Sequence, residues 1–243
     1  MSRVKKVNIL IGIPAQDIVP TKFMLNLIGV LSYTKNHLKN VGEVNLAVKP
    51  GVRTDKNRNT ILKEAIKKGD IDYIIWFDTD MIYPLDIICQ YMRIDFDIIG
   101  CLYFKRPPPH DPVVFVKNKT SKAKPYNAID PSSFEFENVY PVDAIGYGGM
   151  MVKMSVYEKL GKKKWTHYGK NYHLPFEAKD RLTHDLVFCQ TCQDAGFKIL
   201  AHGSVRAGHI AQKVITEDDY RFYRGIEPKK DKKPVKKKKI IKI

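Results

Sequence analysis

Long apolar runs are missing from these 243 residues. The densest, Ile71–Phe77, is broken by Asp72. A spanning helix needs about 20 apolar residues, so none is expected. The opening Met1-Ser-Arg-Val-Lys-Lys runs into a strand-like stretch without an apolar leader and cleavage site, so secretion is not expected and the cytoplasm is the expected compartment. Cysteine is scarce. Cys89, Cys101, Cys189 and Cys192 are the four, and only the last two form a CxxC. With no second pair to complete a zinc site, and with both in a helical pattern, they are expected to be buried core thiols. The sequon Asn118-Lys119-Thr120 carries little meaning in that compartment. Acidic residues are in deficit, 26 against 42 basic, for a net charge of +16. Nine Lys against one Asp in residues 229–243 supply +8, leaving +8 for the rest. The basicity is thus half a terminal appendage.

What is present is a globular composition, 44% hydrophobic and 11% aromatic, too apolar for a disordered chain. Its length suits one large domain with a tail. Val7–Ile13 reads as a strand ending at Pro14. Thr21–Lys39 carries Phe23, Met24, Leu27, Ile28 and Leu31 at helical spacing. Glu43–Val48 is a second strand. Thr54 is placed to cap a helix through Lys68, with Ile61, Leu62, Ala65 and Ile66 on its apolar face. Asp72–Phe77 is a third strand, apolar enough to be buried on both faces. Pro84 suits the first turn of a helix reaching about Arg93, and Asp97–Leu102 is a fourth strand. This βαβαβαβ order predicts an α/β domain with a mainly parallel sheet.

The rhythm then changes. Lys105–Pro112 reads as a Pro-rich loop and Val113–Val116 as a short strand. Lys117–Ser133 is polar, and Val142–Met154 is extended around a Gly-Tyr-Gly-Gly interruption. Ser155-Val-Tyr-Glu158 has the form of a capping box. Lys162–Arg181 is an irregular connection. Thr183–Ala195 is a helix closed by Gly196, and Phe197–Ala201 is a final strand. From Pro228 onward the chain is low-complexity Lys and Pro, expected to be disordered.

Four segments could carry chemistry. Phe77-Asp78-Thr79-Asp80-Met81 follows a buried strand, at the sheet edge where ligands bind in open α/β folds. Extended geometry would put both carboxylates on one side, and hard divalent cations take such oxygens together with phosphate. Thr183-His184-Asp185 opens a helix, where an acidic side chain also suits the dipole. Ser204-Val-Arg-Ala-Gly-His209 ends with an imidazole. Arg53–Asn59 is a polar cluster ahead of a helix, which would equally serve as a solvated first turn.

Taken together, over roughly residues 7 to 210, these segments resemble glycosyltransferases of the GT-A fold, in particular the family-2-like enzymes frequent in phages, viruses and microbes. Ile13-Pro14-Ala15-Gln16 is similar to the nucleotide-binding start. Arg58-Asn59 resembles the "ARN" helix opening, with Asn57 in place of a small residue. Asp78-Thr79-Asp80 matches the DxD. Arg106-Pro107-Pro108 resembles the basic-Pro loop after the next strand. Gly146-Tyr147-Gly148-Gly149-Met150-Met151 resembles the glycine-containing strand beneath the acceptor. His184 to Phe197 resembles the "ED…FC…AGF" helix, and Arg206-Ala-Gly-His209 the terminal "GH". His184 stands where the family commonly has Glu, and Val187 replaces a frequent acid.

The resemblance implies a Rossmann-like GT-A fold with a smaller acceptor-side subregion: a single domain over 1–228, with a nucleotide-binding half over about 1–104 and an acceptor-binding half over about 105–228. It implies transfer of a sugar from a nucleoside diphosphate sugar to an acceptor hydroxyl, with inversion. Asp185 would be the base. Asp80, His209 and Asp78 would attend a Mn²⁺ (or Mg²⁺) ion. Pro14, Ala15, Gln16, Arg58, Asp78, Thr79 and Asp80 would hold the donor, and Gly148, Gly149, His184 and Trp165 the acceptor, with His173 a further candidate. A histidine ligand favours Mn²⁺ over Mg²⁺.

Two other classes remain in view. A nucleotidyltransferase would carry a Gly-rich phosphate loop bearing Lys or Arg, which Ile11-Gly-Ile-Pro-Ala-Gln16 lacks. A polybasic nucleic-acid-binding or membrane-binding protein, on a catalytically inactive GT-A-like fold, would use the tail. Lys without Arg or interleaved aromatics gives little base readout, so an anionic membrane surface fits the tail better than nucleic acid.

Overall fold

The computed structural model describes residues 6–121, 125–133, 138–160, 165–167, 170–172, 176, 182–211 and 214–227, with 165–167 and 170–172 as backbone only. The Lys-rich segment 229–243 and His173 lie outside the described residues.

Strand β1 (Val7–Ala15) continues through Pro14, because a parallel partner on one side leaves the missing N–H unused. Helix α1 (Thr21–His37) buries Phe23, Leu27, Val30 and Thr34. Met24 and Ile28, expected on its inner face, are 43% and 58% exposed: the buried stripe lies one residue round the helix. Strand β2 (Val41–Pro50) leads to helix α2 (Thr54–Lys68), whose buried face carries Ile61, Leu62, Ala65, Ile66 and also Arg58. Thr54 is inside α2 rather than capping it, and no side chain caps that end.

Strand β3 (Tyr73–Trp76) is followed by a two-residue strand β4 (Met81–Ile82), absent from the sequence reading, and a short helix α3 (Ile87–Tyr91). Then come β5 (Ile98–Leu102), β6 (Val114–Lys117), β7 (Tyr126–Ala128), β8 (Val139–Val142), β9 (Ala144–Ile145) and β10 (Met151–Lys153). Helix α4 (Met154–Lys159) starts before Ser155, so the expected capping box is not formed. The connection read as irregular contains a hairpin, β11 (Trp165–His167) with β12 (Lys170–Tyr172). Helix α5 (His184–Asp194) ends at Gly196 in the left-handed region. Strands β13 (Ile199–Arg206), β14 (Gly208–Ile210) and β15 (Val214–Ile215) precede helix α6 (Glu217–Arg224), whose N-terminus does have a capping box, formed by Thr216 and Asp219.

Among the described residues a seven-stranded sheet runs β2-β1-β3-β10-β5-β13-β8. It is mainly parallel, as expected, but β10 inserts antiparallel between β3 and β5, and β8 lies antiparallel on β13. Alternation along the strands feeds two cores. Ile74 and Trp76 enter one with α2, α4 and α5; Ile75 and Phe77 enter the other with α1 and α3. The result is an α/β/α sandwich. Smaller three-stranded sheets, β15-β14-β4 and β7-β6-β9, accompany it. All four cysteines are buried free thiols, and burial pushes Cys101 and Cys189 up to about 12, in keeping with inert core residues.

Two glycines shape the centre. At Gly12 a Cβ would stand 2.6 Å from the Trp76 ring, so its absence makes room for the indole. Gly149 adopts φ +88°, and a Cβ there would stand 2.6 Å from the Cys101 sulfur. Gly149→Ala is expected to lower stability by about 2–4 kcal/mol, combining left-handed strain with overpacking. Chemical denaturation measures it; a change within 0.5 kcal/mol would contradict this packing.

Candidate functional site

A cavity of about 690 Å³ opens where β1 and β3 end. The next strands in sequence, β2 and β3, lie on opposite sides of β1, and such reversals leave a crevice at the carboxyl edge. Pro14, Gln16, Thr54, Arg58, Asp78, Thr79, Asp80, Arg106, Tyr147, His184 and Asp185 all line it. Residues distant in sequence are therefore brought into one chamber.

The DxD is a turn, not an extended strand end. The Met81 amide donates to the Asp78 carbonyl at 3.3 Å, and the Asp78 amide donates to the buried Tyr83 hydroxyl at 2.8 Å. Tyr83 is itself fixed by paired hydrogen bonds with the Asn26 side-chain amide, 2.7 and 2.8 Å. The turn replaces the expected extended geometry; both carboxylates line the chamber, but each has its own partners. Asp78 accepts a short bond from Arg58. Asp80 faces Arg106 at 2.9 Å and His209 at 3.3 Å.

Arg58 is 3% exposed. Besides Asp78, its guanidinium donates to His184 Nε2 at 2.5 Å and lies 4.8 Å from the centre of the Tyr147 ring. Tyr147 in turn stacks on His184, with ring centres 5.6 Å apart. Because Arg58 can only donate, His184 is neutral with its proton on Nδ1. Burial, then the Arg58 charge, push the His184 pKa below its ordinary value.

His209 reaches Asp80 through strand register. β14 pairs antiparallel with β4, setting His209 opposite Met81, one residue from Asp80, and the Ile210 amide donates to the Asp80 carbonyl at 2.6 Å. His209 Nδ1 donates to the Phe104 carbonyl at 2.8 Å. In the neutral imidazole this leaves a lone pair on Nε2, directed at a carboxylate oxygen. Nε2 lies 3.3 Å from Asp80 Oδ2: protonated, it donates to the carboxylate; unprotonated, it faces that oxygen as a second acceptor, an arrangement that a shared cation would relieve. Among the described residues no three His, Cys, Asp or Glu side chains converge on one point. The pair therefore fits an ion that completes its shell with water and substrate oxygens, and Asp78 is not brought into it. Burial works against ionising Asp80, but His209 and Arg106 outweigh it and hold its pKa below the ordinary value.

Asp185 sits in the first turn of α5 on the cavity wall. Its Oδ1 accepts from the Thr183 hydroxyl and, at 3.0 Å, from the Leu186 amide. Four expected site residues do not line the chamber: His209, which reaches Asp80 from behind its wall, and three others. Ala15 turns its methyl into the core, while its carbonyl accepts from Gly51. Gly148 and Gly149 are buried behind it, against Tyr103 and Cys101. The Trp165 side chain lies outside the described residues. Conversely, Arg106 and Tyr147 were quoted only within their segments. A Tyr between glycines and the first Arg after a strand end were the signals available.

No protein-family model matches the chain, and no curated protein does. Solved structures do. A197 from STIV superposes with a TM-score of 0.55 at 16% identity, over 88% of this chain and 91% of that one. GalNAc-T7, crystallised with UDP, GalNAc and Mn²⁺, gives 0.54 at 10% identity over 90% of this chain, which spans 47% of its length. The chain has a GT-A-like fold. In this GT-A-like fold the chamber lies where β1 and β3 end, and among the described residues no helix is long and apolar enough to cross a membrane.

The lowered His184 pKa sets a sign for pH dependence. The unfolded chain takes up this proton near pH 6.5, the folded chain only at lower pH. Stability is therefore complete above about pH 6.5 and falls on acidification below it, by at most about 1.4 kcal/mol per pH unit for one proton. Denaturation at pH 7.5 and 5.5 should give a smaller loss in His184→Gln than in the unsubstituted protein; equal losses would exclude this histidine.

Proposed function

We propose that the chain is a divalent-cation-dependent glycosyltransferase that moves a sugar from a nucleoside diphosphate sugar to an acceptor hydroxyl with inversion. The observation that carries this reading is the approach of His209, 129 residues on in sequence, to within 3.3 Å of Asp80, which lines the same chamber as Asp185. Asp80 and His209 would hold Mn²⁺ (or Mg²⁺). When bound, the cation supplies Lewis-acid stabilisation of the charge on the departing diphosphate. UDP and Mn²⁺ in the GalNAc-T7 crystal are compatible with that chemistry on this fold.

The chain's own groups supply the rest. Pro14, Gln16 and Thr79 border the space for the nucleoside. Asp78, with one oxygen engaged by Arg58, offers the other to a ribose or sugar hydroxyl. Asp185 takes the acceptor proton. Thr183 and Leu186 hold its Oδ1 in place. His184, kept neutral by Arg58, takes the place of an acidic neighbour and so leaves Asp185 as the base on that turn. The acceptor stays open, whether lipid, glycan, protein or nucleic acid. The Lys-rich 229–243 segment would hold the enzyme at the anionic cytoplasmic membrane surface, at about 1 kcal/mol per nearby Lys.

The test is turnover of a nucleotide-sugar panel with Mn²⁺, read as nucleoside diphosphate release. Asp80→Ala, with unchanged melting, is expected to abolish it. Asp185→Asn should lower kcat by about 10²–10⁴-fold, the range of general-base contributions. Full activity in Asp185→Asn would remove Asp185 from the base role. Pyrophosphate release from a nucleoside triphosphate, with no sugar transfer, would replace the proposal by nucleotidyl transfer.

A further inference from the structure

Arg106 stands where a cation at Asp80 would need to be accommodated. Its guanidinium lies 2.9 Å from Asp80 Oδ2, the same oxygen that faces His209 Nε2 at 3.3 Å. A positive group thus already neutralises the carboxylate, from a side chain that is 53% exposed and projects into the chamber.

The loop that carries it is closed on itself. The Lys105 amide donates to the Asp111 carbonyl at 2.9 Å, and His110, 3% exposed, donates from its amide to the Pro107 carbonyl and from Nδ1 to the Lys105 carbonyl. Helix α6 braces it from outside, through Arg224 on Asp111 at 2.5 Å and Tyr223 against the His110 ring at 5.1 Å. With the backbone tied this way, the freedom to move lies in the Arg106 side chain.

Charge then dictates an exchange. A divalent ion entering between Asp80 and His209 would crowd two positive groups onto one oxygen, and the guanidinium, on a flexible stem, is the one able to leave. Asp78 is already taken by Arg58. A diphosphate beside the ion is the negative partner that suits a planar fork of donors. We infer that Arg106 is a placeholder cation: it neutralises Asp80 until a divalent ion binds, then transfers to the donor diphosphate, so that ion and diphosphate bind cooperatively. This rests on the proposed cation site, and on reciprocity of coupled binding.

Mn²⁺ binding to the full chain, with free ion counted by electron paramagnetic resonance, tests it without any turnover. With Mn²⁺ alone, Arg106→Gln should bind about fivefold tighter than the unsubstituted protein, the scale of a half-exposed ion pair. With Mn²⁺ saturating and a panel of UDP, GDP, CDP and ADP, the same variant should bind the best nucleoside diphosphate about tenfold more weakly, from the lost charge-assisted contact. Equal Mn²⁺ affinity in the two proteins overturns the placeholder role and leaves the cation site standing. Mn²⁺ binding by neither protein overturns both. Tighter Mn²⁺ with undiminished diphosphate affinity overturns the transfer.

Discussion

Four segments meet on one buried guanidinium. Arg58 comes from α2, Asp78 from the turn after β3, His184 from the start of α5 and Tyr147 from the loop between β9 and β10. A charge that far from water needs an opposite charge near it; Asp78 supplies it at one terminal nitrogen and His184 accepts from the other, while Nε has no partner among the described residues. Removing Asp78 would leave the guanidinium without its counter-charge, and removing His184 would leave one of its N–H groups unpaired. Much of the site's geometry follows from that constraint. The neutral state of His184, the orientation of Asp78 and the stacking of Tyr147 are all set by it.

The same constraint divides the labour of the two DxD carboxylates. Asp78 is committed to the wall. Asp80, on the other side of the turn, meets the half-exposed Arg106 and a histidine whose Nδ1 is fixed by the Phe104 carbonyl. Both line the chamber, one held by a buried guanidinium and the other by a half-exposed one. Backbone contacts keep them apart, since the Tyr83 hydroxyl holds the Asp78 amide while the Ile210 amide holds the Asp80 carbonyl.

The C-terminal part of the described chain acts on the site through packing. β14 pairs with β4 to deliver His209, and α6 packs Tyr220 against Phe104 and Tyr223 against His110. Arg221 and Arg206 both engage Glu217, tying α6 to β13. A helix remote from the chamber in sequence thereby supports the loop that carries Arg106.

By itself the sequence determined the α/β rhythm, the helices of α1, α2 and α5, the burial of all four thiols, and the candidate residues Asp78, Asp80, Asp185 and His209. Apolar periodicity is a local property of the chain, and so are strand ends marked by acids and a Gly closing a helix. The antiparallel insertion of β10, the tiny strand β4 and the hairpin β11–β12 were not legible, because two- and three-residue strands carry no period of their own and exist by pairing. Nor was the stripe of α1, displaced by one residue to face the sheet, nor the false cap at Thr54 and the false capping box at Ser155, where the helices begin earlier than the polar residue suggests. Above all, partner choice was decided by tertiary structure. That Asp78 meets Arg58 while Asp80 meets Arg106 and His209 depends on a turn and on the register of two short strands, and charge pairs form between segments that only folding brings within reach.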